Sequence, residues 1–260
     1  MLGDDLARIE RDSGGRLGVA LRDTGSGEQA AFHGGDAFPM CSTFKLLAAA
    51  AVLRRVDQGG ETLGRRVVYA PGDLVTYSPA TEQHVKDGMT LAELCDAAVT
   101  LSDNTAGNLL LASIGGPQGL TAFARSLGDA KTRLDRIEPQ LNEAAPGDPR
   151  DTTTPLAMLE NVHKLVLGDA LSAASRRHLA GWLRASKTSA GRFQAGLPSS
   201  WRVGSKTGSG ERGTTNEIGV AWPPAGAPLV FAIYLTNTTA PAARRNATLA
   251  AVGRALMAAR

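Results

Sequence analysis

Strand-like patterning is confined to the two ends of this chain, with helical patterning between them, and this arrangement constrains the fold most. Residues 16–22 alternate in character and lead into the turn-like Asp23-Thr24-Gly25-Ser26-Gly27, after which 29–32 complete a hairpin. Near the other end, 201–206, 217–222 and 229–236 are β-branched or aromatic runs separated by Gly/Pro-rich turns. The last is apolar almost throughout, as expected of a strand covered on both faces.

The middle reads as helix. Residues 44–56 are rich in Ala and Leu, start after Ser42-Thr43 and stop before Gly59-Gly60, the pattern of an N-cap and a glycine stop. Thr90-x-x-Glu93 is a capping box ahead of 94–101. Further helices are expected over 105–113, 117–127, 154–167 and 172–185, with terminal helices over 2–12 and 240–259. Residues 136–153, rich in Pro, Gly and Asp, have no period of their own; a loop of that length is usually functional or disordered. The expected fold is α/β: one sheet built from both chain ends and flanked by helices, with an all-α insertion. The α/β domain is placed at 1–36 and 188–260, and the all-α domain at 37–187.

Composition narrows the function. With 28 basic and 25 acidic residues the charge is only +3, and 5% of residues are aromatic. The longest basic runs are pairs such as Arg54-Arg55, so a nucleic-acid face is not expected. No apolar run approaches the roughly 18 residues of a membrane span. The first residues lack the basic and apolar regions of a signal peptide, so either the chain stays in the cytoplasm or a leader has been removed. Cys41 and Cys95 make no disulfide framework, and His33, His84, His163 and His178 are scattered, so neither metal nor cofactor is expected.

Three short motifs carry chemistry. In Ser42-Thr43-Phe44-Lys45, positions i and i+3 share a helix face, so Lys45 can reach the Ser42 hydroxyl. Serine needs such a base to become a nucleophile, and burial lowers a lysine's pKa enough to make it one. A helix N-terminus also offers N–H groups to a developing oxyanion. Ser102-Asp103-Asn104 lies between helices, where the hydroxyl could relay a proton to a leaving nitrogen and the Asn104 amide could bind a carbonyl. Lys206-Thr207-Gly208 ends the strand at 201–205, and Ser209-Gly210 follow; a lysine and a hydroxyl there can hold a carboxylate while glycine admits a ligand close to the backbone. Taken singly, each also reads as an ordinary cap, turn or strand end.

In this order, the trio resembles class A β-lactamases and penicillin-binding proteins, of which it is the signature. The resemblance to class A β-lactamases covers nearly the whole chain. Arg136-Ile137-Glu138-Pro139-Gln140-Leu141-Asn142 is similar to that family's Ω-loop, placing Glu138 as general base and Asn142 as its partner on the hydrolytic water. The resemblance also implies a cis Glu138-Pro139 bond and an Arg136–Asp151 pair across the loop's neck. Val75-Thr76-Tyr77-Ser78-Pro79 matches the segment that puts an aromatic wall, here Tyr77, at the cleft.

There are departures. Thr215 stands where many members have an arginine for the substrate carboxylate, and Arg192 stands where others supply it. Cys95 and Cys41 each match a position that is half of a disulfide in some members, but the resemblance puts Ala49 and Gly210 at the partner positions, so two free thiols are expected.

The resemblance implies the following cycle. Ser42 attacks the lactam carbonyl, and the N–H groups of Ser42 and Ser209 hold the oxyanion. Ser102, linked to Lys45 and Lys206, protonates the nitrogen, and either Lys45 or Glu138 takes the serine proton. Glu138 with Asn142 then activates water, Asn104 and the Ser209 carbonyl orient the side-chain amide, and Lys206, Thr207 and Arg192 face the carboxylate. It further implies a monomeric, periplasmic or secreted enzyme acting on small-molecule β-lactams in the cleft between the domains, conferring β-lactam resistance, without nucleic-acid or membrane partners. A peptidoglycan DD-peptidase and a non-catalytic β-lactam sensor share the serine and its lysine; the Glu138 loop argues against the first and the absent membrane segment against the second.

Overall fold

The computed structural model describes residues 2–259. Helix α1 (Leu2–Ser13) leads into the hairpin of β1 (Arg16–Asp23) and β2 (Gln29–Phe32). After the short β3 (Phe38–Pro39), a 3-10 turn over Cys41–Thr43 opens α2 (Phe44–Asp57). The short strands β4 (Arg66–Val67) and β5 (Met89–Thr90) pair, and α3 (Leu91–Asp96) continues as a π-helical turn over Ala97–Leu101. Then come α4 (Asn104–Ser113), α5 (Gly116–Ser126), β6 (Thr152–Thr153, paired with β3), α6 (Pro155–Val166) and α7 (Ala173–Arg184). The chain closes with β7 (Arg202–Ser209), β8 (Thr215–Trp222), β9 (Leu229–Thr236) and α8 (Ala242–Ala258).

The five long strands form one antiparallel sheet in the order β2-β1-β9-β8-β7. Strand β1 pairs with β9 from Arg16↔Thr236 to Asp23↔Leu229, so the sheet does join the two ends of the chain. All eight residues of β9 are buried, because both faces are covered. On one face, α1 and α8 contribute Leu6, Ile9, Leu249 and Val252 to a core with Phe193 and Phe231. On the other, Ile218, Val220 and Ala232 join the larger core centred on α2. Every residue of α2 from Phe44 to Leu53 is buried, the behaviour of a helix that is apolar all round but for Lys45.

Three sequence expectations change. Ser42 and Thr43 do not cap α2 with their side chains; the Thr43 hydroxyl donates to the Met40 carbonyl and the Ser42 hydroxyl is engaged elsewhere. The helix expected over 94–101 begins at Leu91 and switches to a π-turn, which ends on Ser102 in a left-handed conformation at φ +63°. Strand β7 runs on through Thr207 and Gly208 to Ser209, past the 201–206 expected. Full pairing with β8, including Gly208↔Asn216 and Ser209↔Thr215, outweighs the weak strand propensity of glycine.

Candidate active site

Ser42 sits at the N-terminal edge of α2, and Lys45 lies one turn on. Lys45 Nζ donates to Ser42 Oγ at 2.9 Å, to the Ser102 carbonyl at 2.8 Å and to Asn104 Oδ1 at 2.6 Å. It also lies 3.0 Å from Glu138 Oε1. Room for this side chain comes from Gly107 on α4, where a Cβ would stand 2.7 Å from Lys45 Cε. Burial lowers the pKa of Lys45, and the neighbouring Glu138 opposes the shift. Lys206, on β7, donates to Ser102 Oγ at 2.9 Å and to the Thr207 carbonyl at 2.8 Å. Its pKa is held well below the ordinary lysine value, first by burial and then by the charges of Lys45 and Arg192. Ser102 therefore meets Lys206 through its hydroxyl but Lys45 only through its carbonyl.

Glu138 arrives from the irregular loop between α5 and β6 and is fully buried. Its Oε1 accepts from Ser42 Oγ at 3.0 Å and its Oε2 from Asn142 Nδ2 at 2.5 Å. The Glu138-Pro139 bond is cis. Asn108 of α4 grips the backbone on both sides, accepting from Glu138 N and donating to Glu138 O at 2.9 Å each. At the neck, Arg136 Nε donates to Asp151 Oδ2 at 2.6 Å, while Asp151 Oδ1 takes the N–H groups of Asp135 and Arg136. The Glu211 N–H donates to the Asn142 carbonyl, fastening the loop to the β7–β8 turn.

A cleft of about 390 Å³ opens here, lined by Ser42, Tyr77, Ser102, Asn104, Asn142, Thr188, Arg192, Thr207 and Ser209. Lys45, Glu138, Lys206 and Gly208 lie beneath that lining. Gly208 is required by close approach, since a Cβ there would fall 2.8 Å from the Met40 carbonyl. Cys41, Tyr77 and Ser102, at the cleft, all adopt positive φ, a strained conformation for such residues. Asn104 Nδ2 donates to the Thr76 carbonyl, tying it to the segment that holds Tyr77, which is 57% exposed.

Arg192 reaches the cleft from behind β7. Its guanidinium donates to the carbonyls of Gly208 and Asn216, to Asn246 Oδ1 and to Ser209 Oγ. Burial lowers its pKa. Arg245, by contrast, donates to Thr215 Oγ1 and the Ala240 carbonyl. All twelve residues singled out from sequence thus lie in or immediately under one cleft.

Sequence reasoning missed Thr188, whose hydroxyl meets that of Thr207 at 2.6 Å, and the supporting Asn108 and Asn246. None of the three belongs to a recognisable motif.

The Beta-lactamase enzyme family model matches residues 1–259. The chain is 51% identical over 249 residues to β-lactamase CTX-M-8 of Citrobacter amalonaticus, covering 96% of this chain and 86% of that one. It is 52% identical, with the same coverage, to β-lactamase Toho-1 of Escherichia coli. Among solved structures, an ancestral (GNCA) class A β-lactamase superposes with a TM-score of 0.99 at 61% identity over the whole of both chains. The chain belongs to the class A β-lactamases.

Proposed function

We propose that this protein hydrolyses β-lactams through an acyl-enzyme on Ser42, which Glu138 then clears. One observation carries the reading: a single carboxylate oxygen, Glu138 Oε1, stands 3.0 Å from both Ser42 Oγ and Lys45 Nζ, while the other oxygen is held by Asn142. Ser42 Oγ attacks the lactam carbonyl as its proton passes to Lys45 or Glu138, both of which touch that oxygen. The N–H groups of Ser42 and Ser209 stabilise the oxyanion. The C–N bond breaks as Ser102, with Lys206 on its hydroxyl, delivers a proton to nitrogen. Glu138 next takes a proton from water; the oxygen attacks the acyl carbonyl, and Ser42 Oγ leaves with a proton. Asn142 Oδ1 is buried and has no hydrogen-bond partner among the described residues, which suits it to orient that water.

Thr207 and Arg192, with Lys206 behind them, supply the field for the substrate carboxylate. Asn104 and the Ser209 carbonyl orient the side-chain amide, and Tyr77 forms a wall. The cleft lies between a sheet domain, 1–36 and 188–260, and a helical domain, 37–187. The working form is a monomer, periplasmic or secreted; among the described residues no helix is long and apolar enough to cross a membrane.

Nitrocefin turnover followed by intact-mass measurement tests this. The parent should turn over continuously with no lasting adduct, and Ser42→Ala should not turn over. A parent trapped stoichiometrically would instead be a DD-peptidase or a sensor.

A further inference from the structure

Near its start, after Thr215, strand β8 carries two fully buried polar residues, Asn216 and Glu217, and it is then apolar to Ala221. Successive strand side chains face opposite sides, so the two serve different neighbours. Asn216 shares the face of Ile218 and Val220, toward α2. Its Nδ2 donates to the carbonyls of Pro39 at 2.9 Å and Met40 at 3.1 Å, just ahead of the turn that carries Ser42. Glu217 faces the other side. Its Oε2 accepts from Phe193 N at 2.8 Å and its Oε1 from Ser205 Oγ at 2.6 Å. Phe193 follows Arg192 in the chain, and Ser205 precedes Lys206.

Neither residue lines the cleft, and burying polar groups is costly where apolar ones would fill the same space. Burial also raises the Glu217 carboxyl above its ordinary pKa. Their contacts give the burial a purpose. Asn216 grips successive carbonyls of the segment that presents the Ser42 N–H. Glu217 anchors the backbone from which Arg192 reaches over the carbonyls of Gly208 and Asn216 to Ser209 Oγ.

We propose that Asn216 and Glu217 are positioning residues for the two walls of the cleft: Asn216 seats the Ser42 turn against β7, and Glu217 seats Arg192 beside Ser209. This rests on the reading of Ser42 as nucleophile and Arg192 as ligand of the substrate carboxylate.

Two probes separate the walls. Nitrocefin carries a carboxylate. Phenylboronic acid has none; the Ser42 oxygen adds to its boron, the proton passes to the neighbouring base, and the tetrahedral adduct presents no carboxylate to Arg192. Glu217→Leu should raise the nitrocefin KM about tenfold and leave the phenylboronic acid Ki within about twofold. That loss should vanish in an Arg192→Ala background, because the two residues act as a unit. Asn216→Leu should weaken both probes about tenfold, with or without Arg192, as small misplacements of reacting groups do. Glu217→Gln, whose amide accepts from Phe193 N and donates to the Ser205 hydroxyl, should retain parental values within about twofold for both probes.

Equal loss of both probes in Glu217→Leu, or an undiminished loss without Arg192, overturns the assignment of Glu217. Should Glu217→Leu not fold, Ser205→Ala decides: about a threefold rise in nitrocefin KM that needs Arg192 supports the proposal, and its absence overturns it. Asn216→Leu with parental phenylboronic acid affinity overturns the other half. A parent that leaves nitrocefin intact overturns the β-lactamase reading itself, and this inference with it.

Discussion

The two lysines and the carboxylate of this site are positioned in opposite ways. Lys45 sits on α2 and Lys206 on β7, elements whose backbone hydrogen bonds and apolar packing fix them. Glu138 sits on a loop with little regular structure, held by side chains: Asn108 at its backbone, Asn142 at its carboxylate, and Arg136–Asp151 at the neck. Regular elements can bury a lysine because the surrounding core is already in place. A loop can bury a carboxylate only if specific partners replace the missing ladder. The contrast implies that the lysine wall resists substitution of single neighbours, whereas the loop depends on each of its few contacts.

The strongest break in that comparison is Glu138→Ala. Ser42 keeps Lys45 as a candidate base, so acylation continues, while release loses its base, a contribution of about 10²–10⁴-fold. Intact-mass spectrometry after mixing with a penicillin should show a long-lived adduct that digestion maps to Ser42. Full turnover in this variant would place the deacylation base elsewhere.

Arg192→Ala tests the strand wall. Its guanidinium is anchored on two carbonyls and reaches Ser209 Oγ at 2.8 Å. Charge-assisted contacts to a substrate carboxylate should be lost, cutting kcat/KM for penicillins by about ten- to a hundredfold, or about 1.4–2.7 kcal/mol. Unchanged kinetics would move the carboxylate site toward Arg244 or Arg245.

Lys206→Met sharpens the same side by separating stability from function. In the unfolded chain this lysine holds its proton to about pH 10.4. In the fold, burial with Lys45 and Arg192 lowers that value. Between the folded and unfolded values the unfolded chain binds more protons, so this group makes stability rise with pH across that window. Below the window the buried charge opposes folding in full. At pH 7 the variant should therefore lose activity yet melt about 2–4 °C higher, the equivalent of about 1 kcal/mol for a chain of this size. Its stability should also climb less steeply on the alkaline side. A lower melting temperature would mean that the contacts to Ser102 and Thr207 outweigh the cost of burial.

The same contrast explains what was legible from sequence. The i, i+3 spacing of Ser42 and Lys45 is a property of a helix, and the apolar run at 229–236 announces a doubly covered strand, so both could be read locally. The role of Glu138 could not: no period marks the loop, and only resemblance to a family singled it out. Gly208 and Ser209 lie beyond the strand expected over 201–206, since neither has strong strand propensity, while pairing with Asn216 and Thr215 keeps them in it. Asn108, Thr188 and Glu217 act through partners 19 to 30 residues away or on another strand, and nothing in their neighbourhoods announces it.

Asp151→Asn probes the loop's dependence on single contacts. Asp151 is 1% exposed and accepts three N–H groups, from Asp135, Arg136 and the Arg136 guanidinium. Asparagine keeps one acceptor oxygen and turns a donor toward the others. Relative kcat/KM values for small and bulky β-lactams should shift about three- to tenfold, while the melting temperature falls by no more than about 2–4 °C. A preference profile matching the parent's would show that the loop does not rely on its neck.

The smallest expected effect concerns the thiols, and it tests whether the regular wall needs any covalent support. Cys41 and Cys95 are free and fully buried, and burial pushes both thiols well above the ordinary cysteine pKa. Cys41 stands next to Ser42, with its Sγ facing Gly210; a Cβ there would lie 2.6 Å from the sulfur, so the nearest position across the cleft offers no second thiol. A disulfide would contribute about 2–4 kcal/mol through the unfolded chain, and reductant would then lower the melting temperature by several degrees. Here the transition should be the same with and without reductant. The nucleophile is the thiolate, and neither buried group forms it readily, so a thiol-alkylating reagent should leave the native protein unmodified and add two equivalents in denaturant. Rapid alkylation of Cys41 in the folded protein would mean that the Ser42 turn opens, and that the wall built from regular elements is the more mobile of the two.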